Sequence, residues 1–249
     1  MGLVDAVRNI IQPLGVDIVR HPRSTPDFSP HELALVKFVE PFTMTGPERI
    51  QALANAVHWI IDEKIPGAFV ECGVWRGGSM MVVARTLLES GVFDRDLYLF
   101  DTYEGMTAPT AVDVDHQGTA AARRFAKRQT GANSADWARA TLDEVRANLH
   151  RTEYPSDHLH LVKGKVEETL PASAPDAIAL LRLDTDWYES TKHELEHLWP
   201  RLVSGGICII DDYGHWAGSR RAVDEYFNSC GIRVLMHRID YAGRLIVKA

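Results

Sequence analysis

The stretch "LLRLDTDWYEST" (residues 180–191) joins an apolar run to two aspartates, Asp184 and Asp186, with one residue between them. A second apolar run, "GICIIDDYG" (206–214), ends in another pair, Asp211 and Asp212. Apolar runs without alternation are typical of strands buried on both faces of a parallel sheet. Because the carboxyl ends of neighbouring parallel strands open on one edge, we predict that the four carboxylates lie close together.

Such a cluster of like charges indicates a metal cation. All-oxygen ligation suits Mg²⁺ or Mn²⁺, whereas zinc would require cysteine or histidine ligands, and only His215 is near in sequence. If the strand continues through both residues, Asp184 and Asp186 point the same way. The alternative is that these aspartates cap helices. Capping would readily explain any single aspartate, but less readily all four.

The same kind of apolar run occurs five times and predicts a doubly wound α/β sheet. Helix-like segments separate the runs, among them "GGSMMVVARTLLESG", "ADWARATLDEVRANLH" and "YESTKHELEHLWPRL" with its stripe of Leu195, Leu198 and Leu202. The end of the chain, "IRVLMHRI" and "YAGRLIVKA", predicts an antiparallel hairpin with a turn at Gly243. The runs are "AFVECG", "LYLFD", "LHLVKG", "AIALLRLD" and "GICIIDD".

Two segments depart from this alternation. Residues 1–66 form an N-terminal helical region, broken at "RHPRSTPDFSPHE", that we expect to act as a lid or an interface between subunits. Residues 67–249 form the main domain, and within it the polar stretch 104–136 follows the second strand as a lid-like insertion.

Composition restricts the class of protein. The chain has 249 residues, a formal net charge of −7, no apolar run long enough for a membrane span and no signal-peptide pattern. We therefore expect neither nucleic acid nor membrane as a partner. The three cysteines, an odd number, favour a reduced, cytoplasmic chain.

The turn after the first strand, "FVECGVWRGGSM", is glycine-rich but has Trp75 where a dinucleotide-binding turn needs its second glycine. NAD and FAD are therefore disfavoured. Glu71 at the first strand end could hold an ammonium group, the glycine backbone a carboxylate, and Asp101 at the second strand end a ribose. Together these features describe S-adenosylmethionine, beside a metal that would lower the pKa of an acceptor hydroxyl for a carboxylate base.

Four motifs resemble the macrocin O-methyltransferase family: "FVECGVWRGGS", "LFDTYEGM", "LLRLDTDWYEST" and "SGGICIIDDYG". The resemblance runs from about Pro41 to the C-terminus and includes "PFTMTGPERI" and "VKGKVEETLP". It implies Mg²⁺- and S-adenosylmethionine-dependent methylation of sugar hydroxyls on macrolides and aminocoumarins. It also implies the class I methyltransferase fold, a Rossmann-like doubly wound sheet, mostly parallel with an antiparallel C-terminal hairpin, and an N-terminal helical lid.

The resemblance also assigns roles to individual residues. Asp186 would be the general base, and the metal would be held by Asp184, Asp211 and Asp212. The methionine end of the cofactor would contact Glu71, Gly73 and Ser79, the ribose Asp101 and Thr102, and the adenine Gly164 and Val166. Thr43 and Met44 of the lid and Thr141 would complete the cofactor site.

The acceptor is less constrained, because the polar stretch from Ala108 to Ser134 is longer than the family pattern. A glycosylated natural product or a similar diol is expected, and a catechol-like phenol would use the same metal chemistry. His116 and Asp115 could touch the acceptor or be solvated, and the nearby aromatic residues could line a sugar site or belong to the core: Trp187, Tyr188, Tyr213, His215 and Trp216. Two alternatives are a glycosyltransferase that uses "DTD" as its D-x-D motif and a cofactor-binding protein without catalysis.

Overall fold

A computed structural model describes residues 25–131 and 134–249. The predictions made for the first 24 residues lie outside this part. Within it, none of the helices combines the length and the apolar character that crossing a membrane would require.

The centre of the molecule is a seven-stranded sheet with the strand order β5–β2–β1–β6–β7–β9–β8. The first five of these strands pair in parallel, while β9 runs antiparallel to both β7 and β8. The strands are β1 (Ala68–Cys72), β2 (Leu97–Asp101), β5 (Leu159–Lys163), β6 (Ile178–Leu183), β7 (Leu202–Ile210), β8 (His237–Arg238) and β9 (Arg244–Val247), with β3 (Gln129–Gly131) and β4 (Ser134–Ala135) forming a separate ribbon. The predicted doubly wound sheet and its antiparallel end are confirmed.

Helices cover both faces of the sheet. One apolar core lies beneath α1, α2, α3 and α5, and a second lies beneath α6, α7 and α8. The helices are α1 (Pro30–Val39), α2 (Pro47–Asp62), α3 (Gly78–Glu89), α4 (Ala121–Ala126), α5 (Leu142–His150), α6 (Val166–Thr169), α7 (Tyr188–Leu198) and α8 (Ala217–Ser229), with 3-10 turns at Glu40–Phe42, Ser156–His158 and Trp199–Arg201. Both α1 and α2 share the first core, in which α2 packs on β6 and β7 while α1 packs on α2 and α3.

Two predicted elements were wrong in extent. The helix expected from Ala135 begins only at Leu142, because Ala135 pairs with Gln129 and Ala138 has a left-handed φ of 48°. Thr141 instead caps the helix by accepting the amide hydrogen of Glu144. The strand expected over residues 232–239 is reduced to His237–Arg238, an edge strand.

The polar insertion 104–136 packs against the sheet edge that carries the aspartates. Asp113 is fully buried there and accepts hydrogen bonds from the amides of Thr110 (2.7 Å) and Tyr188 (2.9 Å). Asp115 forms an isolated antiparallel bridge with Trp216. The insertion is thereby attached to the segments that precede α7 and α8.

Candidate active site

The glycine turn between β1 and α3 is held by Asp101 at the end of β2. Oδ2 of Asp101 accepts hydrogen bonds from the amides of Val74 (2.7 Å) and Trp75 (3.1 Å), and Oδ1 accepts one from Tyr103 (2.8 Å). Burial raises the pKa of Asp101, although these backbone hydrogen bonds oppose the shift. Asp101 thus shapes the turn, a role that the sequence did not predict.

A cavity runs along the carboxyl edge of the strands beside this turn. It brings together most of the residues assigned to the cofactor, namely Met44, Gly73, Asp101, Thr102, Gly164 and Val166. An adjoining cavity of about 250 Å³ is lined by Thr43, Ser79 and all four aspartates. Thr141 lines neither cavity, because its side chain caps α5.

Glu71 lies buried in β1, one residue before the strand ends, and lines neither cavity. Its Oε1 accepts a hydrogen bond from Arg182 (2.5 Å), and its Oε2 has no hydrogen-bond partner among the described residues. Burial raises the pKa of Glu71 to about 7, against the opposing effect of Arg182. An unpaired buried carboxylate oxygen suits an ammonium group, so the site fits the methionine end of S-adenosylmethionine.

Asp184, Asp211 and Asp212 form a compact carboxylate cluster. Each offers one oxygen, and these oxygens lie within 4.8 Å of one another. Burial, together with the charges of neighbouring carboxylates, raises the pKa of Asp184 and of Asp212 well above the ordinary range. Three hard oxygen donors at this spacing fit a Mg²⁺ or Mn²⁺ ion whose other ligands are water or substrate.

Arg182 is part of the site but was missed by the sequence interpretation. It lies in β6 with 3% of its side chain exposed and donates to Asp184 (2.6 Å) and Asp211 (2.5 Å) as well as to Glu71. Burial opposes its charge, but the three carboxylates outweigh it and raise the pKa of Arg182. The signal was a lone arginine inside the apolar run "AIALLRLD".

Arg49 of α2 is a second missed residue. Its guanidinium donates to Oδ2 of Asp211 and lies 3.0 Å from Oδ2 of Asp240 in the turn before β9. Arg49 therefore ties the N-terminal helices and the C-terminal hairpin to one member of the carboxylate cluster. Its position in "PFTMTGPERI", within a family motif, was the available signal.

Asp186 lies just outside the cluster and differs in environment. The strand ends at Leu183, so the condition under which Asp184 and Asp186 would point the same way is not met, and Asp186 has a left-handed φ of 68°. Its amide donates to Oδ2 of Asp212 (3.2 Å), and its Oδ1 accepts a hydrogen bond from the indole of Trp216. Burial, followed by the charge of Asp184, raises the pKa of Asp186 to about 7.

The aromatic residues near the aspartates divide into two groups. Trp187 is buried and packs edge-on against Trp216 at 5.0 Å, while Trp216 and His215 line the cavity with the aspartates. Tyr188 and Tyr213 instead hydrogen-bond to exposed acids of α8 and do not line it. The ring of His116 lies 5.1 Å from that of His215, tilted by 52°, and Asp115 accepts backbone hydrogen bonds within its own turn.

Comparison with known proteins identifies the family. The family model described as Macrocin-O-methyltransferase (TylF) matches residues 37–248, which is most of the chain. The chain belongs to the macrocin O-methyltransferase family. It is a methyltransferase, as the resemblance predicted.

Relatives within this family carry related names. The chain is 33% identical to demethyldecarbamoylnovobiocin O-methyltransferase of Streptomyces niveus, over 74% of this chain and 67% of the relative. It is 35% identical to 8-demethyl-8-(2,3-dimethoxy-alpha-L-rhamnosyl)-tetracenomycin-C 4'-O-methyltransferase of Streptomyces olivaceus, over 81% of this chain and 73% of the relative.

Solved structures give the same fold. The chain is similar to the O-methyltransferase NovP with a TM-score of 0.74 and 30% identity, covering 84% of this chain and 82% of that one. A weaker likeness in fold, with a TM-score of 0.54 and 12% identity over 94% of this chain and 99% of the other, is to an SAH-bound methyltransferase of Podospora anserina. This member of the macrocin O-methyltransferase family therefore has the fold of S-adenosylmethionine-dependent O-methyltransferases.

Proposed function

We propose that the chain transfers the methyl group of S-adenosylmethionine to a sugar hydroxyl of a secondary metabolite, with Mg²⁺ held by Asp184, Asp211 and Asp212. The observation that carries this proposal is the position of the three-carboxylate cluster. It lies beside Asp186 in one cavity that adjoins the proposed cofactor site. The names of both relatives, each an O-methyltransferase of a glycosylated or antibiotic-type compound, support the acceptor class.

The cofactor is held by groups at the carboxyl edge of the sheet in this proposal. Glu71 and Ser79 bind the methionine end, Gly73 allows close backbone approach, and Asp101 with Thr102 bind the ribose. A separate constraint also requires glycine at position 73, because an added Cβ would lie 2.0 Å from the carbonyl oxygen of Asp184. Only a glycine permits the turn to pass so close to the metal segment.

Asp186 acts as the general base in this proposal. Mg²⁺ when bound lowers the pKa of an acceptor hydroxyl, and S-adenosylmethionine supplies a methyl group that needs alignment rather than activation. Asp186 is suited to accept the hydroxyl proton because its Oδ1 is oriented by Trp216 while the carboxylate lines the acceptor cavity. Arg182 keeps Glu71, Asp184 and Asp211 in place through three hydrogen bonds.

The other parts of the proposal concern location and partners. Cys72, Cys208 and Cys230 are all free, which fits a reducing cytoplasm. Thr43 and Met44 form the edge of a lid, and a homo-oligomer through the N-terminal region stays a prediction. The glycosyltransferase alternative is not favoured, because it leaves the glycine turn, Asp101 and the second aspartate pair without a role.

Acceptor screening tests the proposal. The full chain is incubated with S-adenosylmethionine carrying a deuterated methyl group and with paired acceptors, each glycoside beside its aglycone and a catechol, with Mg²⁺ or with EDTA. A deuteromethyl mass increase on glycosides alone, abolished by EDTA, is the expected result. Transfer to the catechol but to no glycoside would show that the acceptor is a phenol rather than a sugar hydroxyl. Transfer unaffected by EDTA would show that the reaction does not require a metal ion.

A further inference from the structure

Glu194 on α7 is a buried acid that the proposed chemistry does not use. Its side chain is fully buried, on the face of α7 that also carries Leu195 and Leu198. Oε1 accepts a hydrogen bond of 2.9 Å from the hydroxyl of Thr185, and Oε2 has no hydrogen-bond partner within the described part of the chain. A leucine would pack at such a position without burying an unpaired polar atom.

The residue that Glu194 contacts lies between two residues of the proposed site. Thr185 separates Asp184 from Asp186, in a segment that leaves β6 at Leu183 and turns sharply, with a φ of 68° at Asp186. A left-handed conformation at a residue other than glycine persists only where its surroundings fix it. The backbone of the segment is held by the bond from the amide of Asp184 to the carbonyl of Cys72 (2.8 Å).

The side chains of the segment are each held from a different element. Asp184 is bound by Arg182 of β6, Asp186 by Trp216 before α8, and Thr185 by Glu194 of α7. Without the last contact, the middle residue of the turn would lose its side-chain hydrogen bond to the protein. The backbone contacts of the turn, among them the bond from the amide of Trp187 to the carbonyl of Thr185 (2.8 Å), would remain, but no hydrogen bond would fix the side chain of its middle residue.

We propose that Glu194 is a positioning residue that fixes the turn from Asp184 to Asp186 through Thr185, so that Asp184 meets Asp211 and Asp212 at metal-binding distance. The inference rests on the proposed function, since it concerns the same metal site. Side chains that orient metal ligands from behind commonly change metal affinity by about 10- to 100-fold when they are removed. Glu194 acts in this way through the backbone of the turn.

A purely structural role for Glu194 predicts different behaviour from a positioning role. If the carboxylate only stabilised the fold, its removal would lower stability and leave metal affinity intact. If it positions the turn, Glu194→Leu weakens metal binding although the variant loses a buried unpaired oxygen. Stability is then unchanged or higher while metal affinity is lower. A general loss of structure cannot account for that combination.

Calorimetric titration of the full chain tests the inference. Mg²⁺ and S-adenosylhomocysteine are titrated separately into the wild type, Glu194→Leu, Thr185→Val, the double variant and Glu194→Gln, with urea unfolding of each. Glu196→Gln, an exposed change on the same helix, is the matched control. We expect Kd for Mg²⁺ to rise at least about 10-fold in Glu194→Leu and in Thr185→Val. Glu194→Gln, which retains an acceptor for Thr185, should stay within about 3-fold of the wild type.

The double variant decides whether the two residues act together. Its Kd for Mg²⁺ should be no higher than that of the single variant that binds Mg²⁺ more weakly, because both substitutions remove the same hydrogen bond. S-adenosylhomocysteine binding should change by less than about 2-fold in Glu194→Leu and Glu194→Gln, since Glu194 does not line the proposed cofactor cavity, whereas Thr185 does. Unchanged Mg²⁺ affinity in Thr185→Val, or effects that simply add, would overturn the inference while the proposed function stands. Absence of Mg²⁺ binding in the wild type would overturn both.

Discussion

The indole Nε1 of Trp216 donates a hydrogen bond to Oδ1 of Asp186 and so orients the carboxylate that we propose as the general base. Trp216 in turn pairs with Asp115 of the polar insertion. The insertion is thus connected to the site by a short path of backbone and side-chain contacts. The polar insertion therefore contacts the residue that orients the proposed general base.

Replacing the proposed base should separate turnover from cofactor binding. Asp186→Asn should lower kcat by about 100-fold or more, the usual contribution of a general base, with no more than a small change in S-adenosylhomocysteine affinity. Trp216→Phe should lower kcat by about 10-fold, because only one hydrogen bond to the carboxylate is lost. Both are measured with an acceptor found by the screen, and unchanged turnover in Asp186→Asn would remove Asp186 from the role of base.

Removing the buried arginine should destabilise the fold. Arg182→Met leaves Glu71, Asp184 and Asp211 without their shared cation, and we expect a loss of about 3–5 kcal/mol in the free energy of unfolding. Mg²⁺ should restore part of this loss, because it binds the native cluster. Urea unfolding with and without Mg²⁺ measures both effects.

A surface arginine provides the control for that experiment. Arg85 pairs with Glu89 on α3 with about a third of its side chain exposed, so Arg85→Met should change stability by less than about 1 kcal/mol. If Arg182→Met cost no more than Arg85→Met, Arg182 would not be the cation that balances the cluster.

Steric hindrance should exclude any residue other than glycine at position 73. Gly73 has a φ of 82°, and a Cβ there would lie 2.0 Å from the carbonyl oxygen of Asp184. Gly91 has a similar φ of 74° but nothing within 4 Å of an added Cβ. Gly91→Ala should therefore cost about 1–2 kcal/mol from backbone strain alone. Gly73→Ala should cost more and should also abolish S-adenosylhomocysteine binding, measured by calorimetry. Equal effects of the two changes would contradict close approach at Gly73.

The buried acid of α7 should make stability depend on pH. Burial raises the pKa of Glu194 well above its ordinary value, against the hydrogen bond from Thr185. The folded chain therefore binds this proton more tightly than the unfolded chain, so stability falls as pH rises from the ordinary value through the folded pKa. Glu194→Gln lacks this titration. Its advantage in unfolding free energy over the wild type should grow between about pH 5 and about pH 8, by at least about 1.4 kcal/mol, equivalent to one pKa unit. A constant or shrinking difference would show that Glu194 does not bury a charge.

Much of the fold and of the site could be predicted from the sequence, because both depend on local patterns. Five apolar runs gave the parallel strands, and the aspartates after Leu183 and Ile210 had to meet at one edge of the sheet. The pairing of β6 with β7 is what brings the two pairs together. No contact beyond neighbouring strands was needed for that conclusion.

The remaining features depend on contacts that no local pattern carries. Arg49 reaches Asp211 across 162 residues of sequence, and Arg182 was hidden because an arginine inside a strand is not itself a motif. The role of Thr141 as the cap of the helix that begins at Leu142 was not predicted, and its place beside the cofactor stays a prediction. The direction of the Asp186 side chain depends on where β6 ends. The alternation of side chains along a strand cannot predict that end.

We propose Asp184, Asp211 and Asp212 as the ligands of a divalent cation beside the cofactor. Calorimetric titration of Mg²⁺ into the complex with S-adenosylhomocysteine tests this assignment most directly, with Asp211→Ala and Asp212→Asn beside the wild type. We expect one Mg²⁺ per chain in the wild type and none in either variant, while S-adenosylhomocysteine binds all three proteins. Mg²⁺ binding that survives both substitutions, or no Mg²⁺ binding by the wild type, would show that these aspartates do not form the metal site.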